Sequence, residues 1–384
     1  MTYFANPAFL LFAASSGALV AIWLGYPALM LLRARMAPRP TRTGLPANRN
    51  AWPRVTAILA TRDDATVVAD RIANLLASDY PADRLDVIVA LDAVDAACTL
   101  DAAVGDPSRV RIVTGDQPGG KAAALNAGVR EATGDVLMMM DSRQRFEPDT
   151  MRLLVAALHD ERVGAVSGAL TLGRETGGLS PVHVYWALEK QLRRAEAVVH
   201  SAIGVTGAVY ATRRALWPSL PAGTILDDVY VPMSLVLSGY RIGFEPTARA
   251  TDVRSFDARG EQTRKARTLT GVLQLCRLLP EVLVPWRNPV WGMFVAHKLL
   301  RLLSPLFMLG ALVGGSWWFV RLASAAPVPV GGAVAACALV VLAVAPLRRA
   351  FWGVARYAYA MQVAIVGALI NGARGRWQVW TRAK

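Results

Sequence analysis

Cysteine is scarce and unpaired in this chain: Cys98, Cys276 and Cys337 lie far apart, with no CxxC. A disulfide framework and a cysteine zinc site are thereby excluded, and a reducing compartment fits. The four histidines (His159, His183, His200, His297) show no metal-ligand spacing. His297-Lys298 reads as an interfacial anchor ahead of a membrane span. Charge is missing over long stretches: Ala8–Leu32, Leu302–Val320, Leu322–Leu347 and Tyr357–Ala373 hold no charged side chain. Only 18% of the 384 residues are charged and 54% are hydrophobic, whereas a soluble domain is roughly a quarter charged. A secreted globular protein and a disordered chain are excluded. The ordinary composition between about Arg33 and Arg301 excludes a purely membranous one.

What charge there is has a strong bias, 42 Lys and Arg against 28 Asp and Glu for a net +14. In a soluble chain this would suggest nucleic acid. Here Arg33, Arg35, Arg39, Arg42 and Arg49 follow the first apolar run, and residues 1–7 carry no charge. That is the positive-inside asymmetry of a membrane protein, with the N-terminus outside and the middle in the cytoplasm. Arg348, Arg349, Arg374, Arg376, Arg382 and Lys384 form a second basic cluster suited to lipid headgroups. Membrane lipids are expected partners and nucleic acid is not. Ala8–Leu32 spans about 37 Å as a helix, enough for the hydrocarbon core. Its length and flanks fit an uncleaved anchor better than a signal peptide. Leu302–Val320 and Val328–Leu347 are the next expected spans, around Pro327 and Pro329. By parity Tyr357–Ala373 is expected to lie in the interface, with Trp377 and Trp380 at headgroup level. The expected division is an anchor over 1–35, a cytoplasmic domain over 50–260, interfacial helices over 261–300 and a membrane region over 301–384. The expected location is the inner (plasma) membrane. Pro285, Trp286, Pro289 and Trp291 read as a surface-lying connection into it.

The middle alternates short β-branched runs with helical patterns. Val55–Ala60, Leu85–Leu91, Val110–Thr114 and Val136–Met140 read as buried strands, near-continuously apolar as in a covered parallel sheet. Helices are predicted over about Thr66–Ser78, Lys121–Thr133 and Pro148–His159. The pattern implies an α/β doubly wound sheet with its ligand site at the carboxyl ends of the strands. Acids fall there: Asp63 and Asp64 after the first strand, Asp92 ending the second, Asp141 ending the fourth. Gly115-Asp-Gln-Pro-Gly-Gly120-Lys121 has the spacing of a P-loop, but Ala122 stands where a Ser or Thr must hold magnesium. A glycine turn, a helix start and a lysine still make a diphosphate cradle. An ordinary strand-to-helix turn with a solvated lysine is the alternative.

In order and spacing these segments resemble family 2 membrane glycosyltransferases, relatives of cellulose, hyaluronan and poly-N-acetylglucosamine synthases. The resemblance implies a GT-A-type, Rossmann-like, mostly parallel sheet flanked by transmembrane and interfacial helices. In Leu59-Ala-Thr-Arg-Asp-Asp64 it places Thr61 and Asp64 near the nucleotide base, and it gives Asp92 a uridine contact. Gly120-Lys-Ala-Ala-Ala-Leu-Asn126 matches GKxxALN, with Lys121 on the diphosphate. Asp141-Ser-Arg143 stands for DxD, Gly204-Val-Thr-Gly207 for the loop bordering the acceptor, and Leu226-Asp227-Asp228 for the TED motif. Asp228 is then the general base, with Asp227 as runner-up. Helix capping by these acids is compatible with that role. Arg264-Lys-Ala-Arg267 replaces QxxRW, without its Gln and Trp. Lys121, Arg264 and Arg267 are candidates for the leaving group's charge; a basic helix lying on the bilayer is the competing reading for the arginines, and an equal one for Arg264 and Lys265. Tyr185-Trp186 reads as helix packing, with a sugar platform as the alternative.

The resemblance thus implies inverting transfer from a UDP-sugar to a carbohydrate or lipid-linked acceptor, with Mg2+ or Mn2+ at Asp141. Because Arg143 replaces the second carboxylate, Arg143 itself could supply positive charge. A non-catalytic nucleotide- or glycan-binding partner of a synthase is the alternative reading.

Overall fold

Eight strands form one sheet in the computed structural model, which describes residues 6–93, 107–172, 181–252, 258–332, 334 and 345–377. Cys98, Cys337, Trp380, Arg382, Lys384 and most of the expected span Val328–Leu347 lie outside the described residues. The strands are β1 (Val55–Thr61), β2 (Leu85–Leu91), β3 (Val110–Thr114), β4 (Val136–Met140), β5 (Gln144–Phe146), β6 (Val163–Leu172), β7 (Val209–Arg213) and β8 (Arg241–Asp252). Their order is β3-β2-β1-β4-β7-β6-β8-β5. The half β3-β2-β1-β4 is parallel throughout. From there the sheet is mixed: β7 runs antiparallel to β4 and β6, β5 antiparallel to β8, and β6 parallel to β8.

Side chains alternate across the parallel strands, so each strand feeds two cores. Val55, Ala57, Leu59, Val87, Val89 and Met138 pack with Val68, Ile72 and Leu75 of helix Ala65–Leu76 and with helix Thr150–Ala157. Ile58, Ile88, Leu137 and Met139 pack on the other face with Leu125 of helix Lys121–Glu131 and with helix Asp227–Leu237. The helix expected from Pro148 begins at Thr150, because the Pro148 carbonyl turns away to accept from the Asp79 amide.

Among the described residues, three helices are long and apolar enough to cross a membrane: Pro7–Met36, Ser304–Ala325 and Phe351–Ala373. The first is capped by Asn6 and is about 45 Å long. Gly310 and Gly314 of the second lie against Ser15 and Phe12 of the first, and Trp318 packs on Phe9 and Phe12. The last departs from the expected element starting at Tyr357. A single helix runs Ala345–Ala373, since Pro346 is tolerated in a first turn and Arg348-Arg349 does not interrupt a helix. By length it is a third candidate span. Helix Ala258–Leu278 joins the sheet domain to the connection carrying Trp286, which is 85% exposed.

Candidate active site

Lys121 links the acids at the strand ends. Gly120 before it has φ +97° and donates its amide to Asp92 Oδ2 at 3.0 Å, a backbone shape that a glycine adopts without strain. The turn thus ties the start of helix Lys121–Glu131 to the end of β2. Asp92 is 1% exposed and is also held by Arg62, whose Nε donates to Oδ2 at 2.6 Å. Lys121 Nζ donates to Asp141 Oδ1 at 3.1 Å and lies 3.4 Å from Asp227 Oδ2. One ammonium thus joins the end of β4 to the start of helix Asp227–Leu237. Burial alone would lower its pKa, but Asp141, Asp227 and Asp228 outweigh burial and raise it, keeping the charge on.

Asp228 is an acid displaced upward from ordinary behaviour. Burial first, and the Asp227 carboxylate second, push it up to about 6, against the opposing pull of Lys121, Lys298 and Arg193. The Asp228 residue is half-buried. The loop Gly204–Gly207 forms one wall: Val205 N donates to the Asp228 carbonyl at 2.9 Å, and Gly207 stands beside the carboxylate. Both acids occupy the first turn of their helix without a side-chain capping bond. Their place there satisfies the helix dipole while leaving the carboxylates to other partners.

The pair sits where it does because helix Ala258–Leu278 clamps the loop before it. Gln274 accepts from Ile225 N at 2.8 Å and donates to Gly223 O at 2.9 Å. A Cβ on Gly271 would lie 2.4 Å from Leu226 Cγ, so only glycine permits this approach. Arg264, Arg267, Gly271 and Gln274 fall on one helical face, placing both arginines on the stripe that meets the acid loop. Lys265 turns instead to helix Pro181–Val199, its Nζ 4.0 Å from the Tyr185 ring centroid and 5.2 Å from that of Trp186. These aromatics therefore carry a cation–π contact, which neither expectation for them included.

Two expected site residues are engaged elsewhere. Arg143 donates to Asp63 Oδ1 from Nε at 3.0 Å and from Nη2 at 2.5 Å, and Ser142 bonds the other oxygen of Asp63. Arg143 therefore closes the end of β4 onto the end of β1, and its charge already has a carboxylate. Thr61 Oγ1 accepts from Asp63 N at 2.9 Å, a turn-forming bond, and Asp64 is exposed at the start of its helix. Among the described residues there is no group of three His, Cys, Asp or Glu that could hold a metal. Asp141 is tied to Lys121, and its motif partner is the cation Arg143. These residues do not fit a divalent ion held by protein ligands alone.

Sequence reasoning missed four groups here. Arg62 holds Asp92. Arg193 and Lys298 act on Asp228 through space. The hydroxyl of Tyr210 on β7 is buried with no hydrogen-bond partner, facing the charges of Asp227, Asp228 and Asp141. Arg62 lies inside Leu59–Asp64 and was legible there. The others come from elements remote in sequence.

The family model described as glycosyltransferase like family 2 matches residues 53–276. The chain is 24% identical over 201 residues to a poly-beta-1,6-N-acetyl-D-glucosamine synthase of Staphylococcus aureus, covering 50% of this chain and 48% of that one. It is 27% identical over 236 residues to an N-acetylglucosaminyltransferase of Mesorhizobium japonicum, covering 56% and 54%. It spans about half the length of these curated relatives. The solved mannosyltransferase of Pyrobaculum calidifontis, in complex with GDP-Man and Mn2+, superposes with TM-score 0.70 over 95% of this chain and 99% of that one at 23% identity. That likeness establishes the GT-A fold.

Proposed function

The chain belongs to glycosyltransferase family 2, and on that premise we propose that it moves a sugar from a UDP-sugar to a carbohydrate or lipid-linked acceptor, with inversion, at the cytoplasmic membrane face. Lys121 carries the reading: it gathers Asp141, Asp227 and Asp228 at one end of the sheet, beside Asp92. The names of the curated relatives make N-acetylglucosamine the sugar to try first.

In this reading Asp92 meets the nucleoside and Lys121 faces the diphosphate. Asp228 takes the proton from an acceptor hydroxyl. The hydroxyl oxygen then bonds the anomeric carbon as the bond from that carbon to the diphosphate oxygen breaks, and its electrons leave with the diphosphate. Lys121, fixed by Asp141 and Asp227, neutralises that charge without reorganising. One attacking oxygen with no covalent intermediate on the protein makes this a single displacement, which inverts the anomeric configuration. Arg264 and Arg267 supply further positive charge from their helix.

Arg143, bound to Asp63 in place of a second metal-binding acid, is the observation that favours the rival, a non-catalytic nucleotide-binding partner. Release of UDP or GDP from UDP-N-acetylglucosamine, UDP-glucose and GDP-mannose separates the two. The wild type is expected to turn over one of the two UDP-sugars and not GDP-mannose, and Asp228→Asn to lose about 10²–10⁴ of that rate while still binding UDP. No release from any donor, or unchanged release by Asp228→Asn, overturns the assignment.

A further inference from the structure

The anchor helix reaches the candidate active site through a cluster of buried charges. Glu189, Arg193 and Glu196 follow one another at helical spacings of four and three, so they share one face of helix Pro181–Val199. Glu196 is fully buried and His297 is 4% exposed. Tyr26 of the anchor donates its hydroxyl to Glu196 Oε1 at 2.6 Å. His297 Nδ1 meets the same oxygen at 2.8 Å, and its Nε2 meets Glu189 Oε2 at 3.0 Å. Arg301 Nη1 donates to Glu189 Oε1 at 2.5 Å, with its guanidinium 4.7 Å from the Trp23 ring centroid. Trp23 Nε1 in turn donates to Ser304 Oγ at 3.0 Å, where the second candidate span begins. His297 is thus no simple headgroup anchor. It joins two glutamates more than a hundred residues away.

The third residue on that face points to the chemistry. Arg193 Nη1 donates to Thr206 Oγ1. The Thr206 amide donates to Ser167 Oγ on β6 at 2.9 Å, and the neighbouring Val205 amide donates to the Asp228 carbonyl. Buried charges are tolerated only when paired, and losing one partner leaves the others exposed to the full desolvation cost. Four ionic or charge-assisted contacts on Glu189 and Glu196 therefore fix the axial position of helix Pro181–Val199. That position decides whether Arg193 reaches Thr206.

We propose that this cluster is a positioning unit: Tyr26, His297 and Arg301 lock helix Pro181–Val199 so that Arg193 holds the Gly204–Gly207 wall against Asp228. The proposal rests on reading Asp228 as the base and that loop as the acceptor wall. It makes the anchor a part of the site's geometry as well as a tether, with Tyr26 setting turnover from within a membrane helix.

The test uses the full chain in lipid nanodiscs and two variants. Tyr26→Phe removes one hydroxyl and keeps the ring, and Arg193→Met removes the bond to Thr206. Hydrogen exchange at residues 204–208 is compared with exchange in β1 and β4, alongside UDP affinity and nucleotide release. Both variants are expected to speed exchange at 204–208 by about tenfold while β1 and β4 stay protected. UDP affinity should stay within about twofold and turnover fall by about tenfold. Unchanged exchange at 204–208 in both variants, or faster exchange spread equally through β1 and β4, overturns the proposal. A loop that responds in a wild type turning over none of the three nucleotide sugars leaves the positioning unit standing and removes the reading of Asp228 as the base.

Discussion

Acidification should switch this protein off at a pH where ordinary carboxylates are still mostly ionised. A base acts only when deprotonated, and burial together with Asp227 pushes Asp228 up to about 6. With that value about nine-tenths of the protein is competent at pH 7 and about one-tenth at pH 5, so nucleotide release under subsaturating donor should drop by about tenfold between them. An unperturbed aspartate would give almost no change over the same range. Asp227→Asn removes the second-largest cause of the rise, so the acid limb should move to lower pH, whatever happens to the maximal rate. Arg193→Met removes a charge that holds the value down, and should move the limb to higher pH. The assay is UDP release from nanodiscs across pH 4.5–8, with melting followed in parallel to exclude acid unfolding. A limb near 4, or one that ignores Asp227→Asn, would refute the link between burial, the paired acids and catalysis.

Other expectations concern single contacts. Asp92→Asn keeps the shape at the end of β2 but weakens its charge-assisted bonds, so UDP affinity measured by calorimetry should fall by about tenfold. Gly271→Ala forces a methyl group to 2.4 Å from Leu226 Cγ. Relieving that overlap costs about 1–3 kcal/mol and shifts the acid loop, so turnover should fall while UDP affinity holds. Manganese added to nucleotide-free protein should show no saturable binding by spin resonance, because Asp141 faces Lys121 and its motif partner is a cation; tight binding would show that the side chains rearrange.

The parallel half of the sheet was legible because its strands are near-continuous apolar runs, as expected of a sheet covered on both faces. Val110–Thr114 and Val136–Met140 have the bounds their composition implies. Strands β6 to β8 were not read individually, since the antiparallel insertion of β7 leaves no run of that kind: Arg241–Asp252 mixes charges and alanines. The acids at the strand ends were visible as residues. Their sharing of one lysine was not, because Lys121 lies 106 positions before Asp227 in the chain. Arg143 shows the limit of motif reading: its place in the chain suggests the diphosphate, while the nearer carboxylate of Asp63 takes its guanidinium. His297 shows the same limit from the other side, its two glutamates lying on a helix no spacing rule connects to it.

A structure of the full chain with UDP-N-acetylglucosamine bound would decide whether acids so distant in sequence serve a single reaction. The uracil should lie at Asp92, the diphosphate against Lys121, and the anomeric carbon beside a space bounded by Asp228 and Gly207. A nucleotide bound away from Lys121, or an anomeric carbon with no path to Asp228, would contradict the proposed transfer.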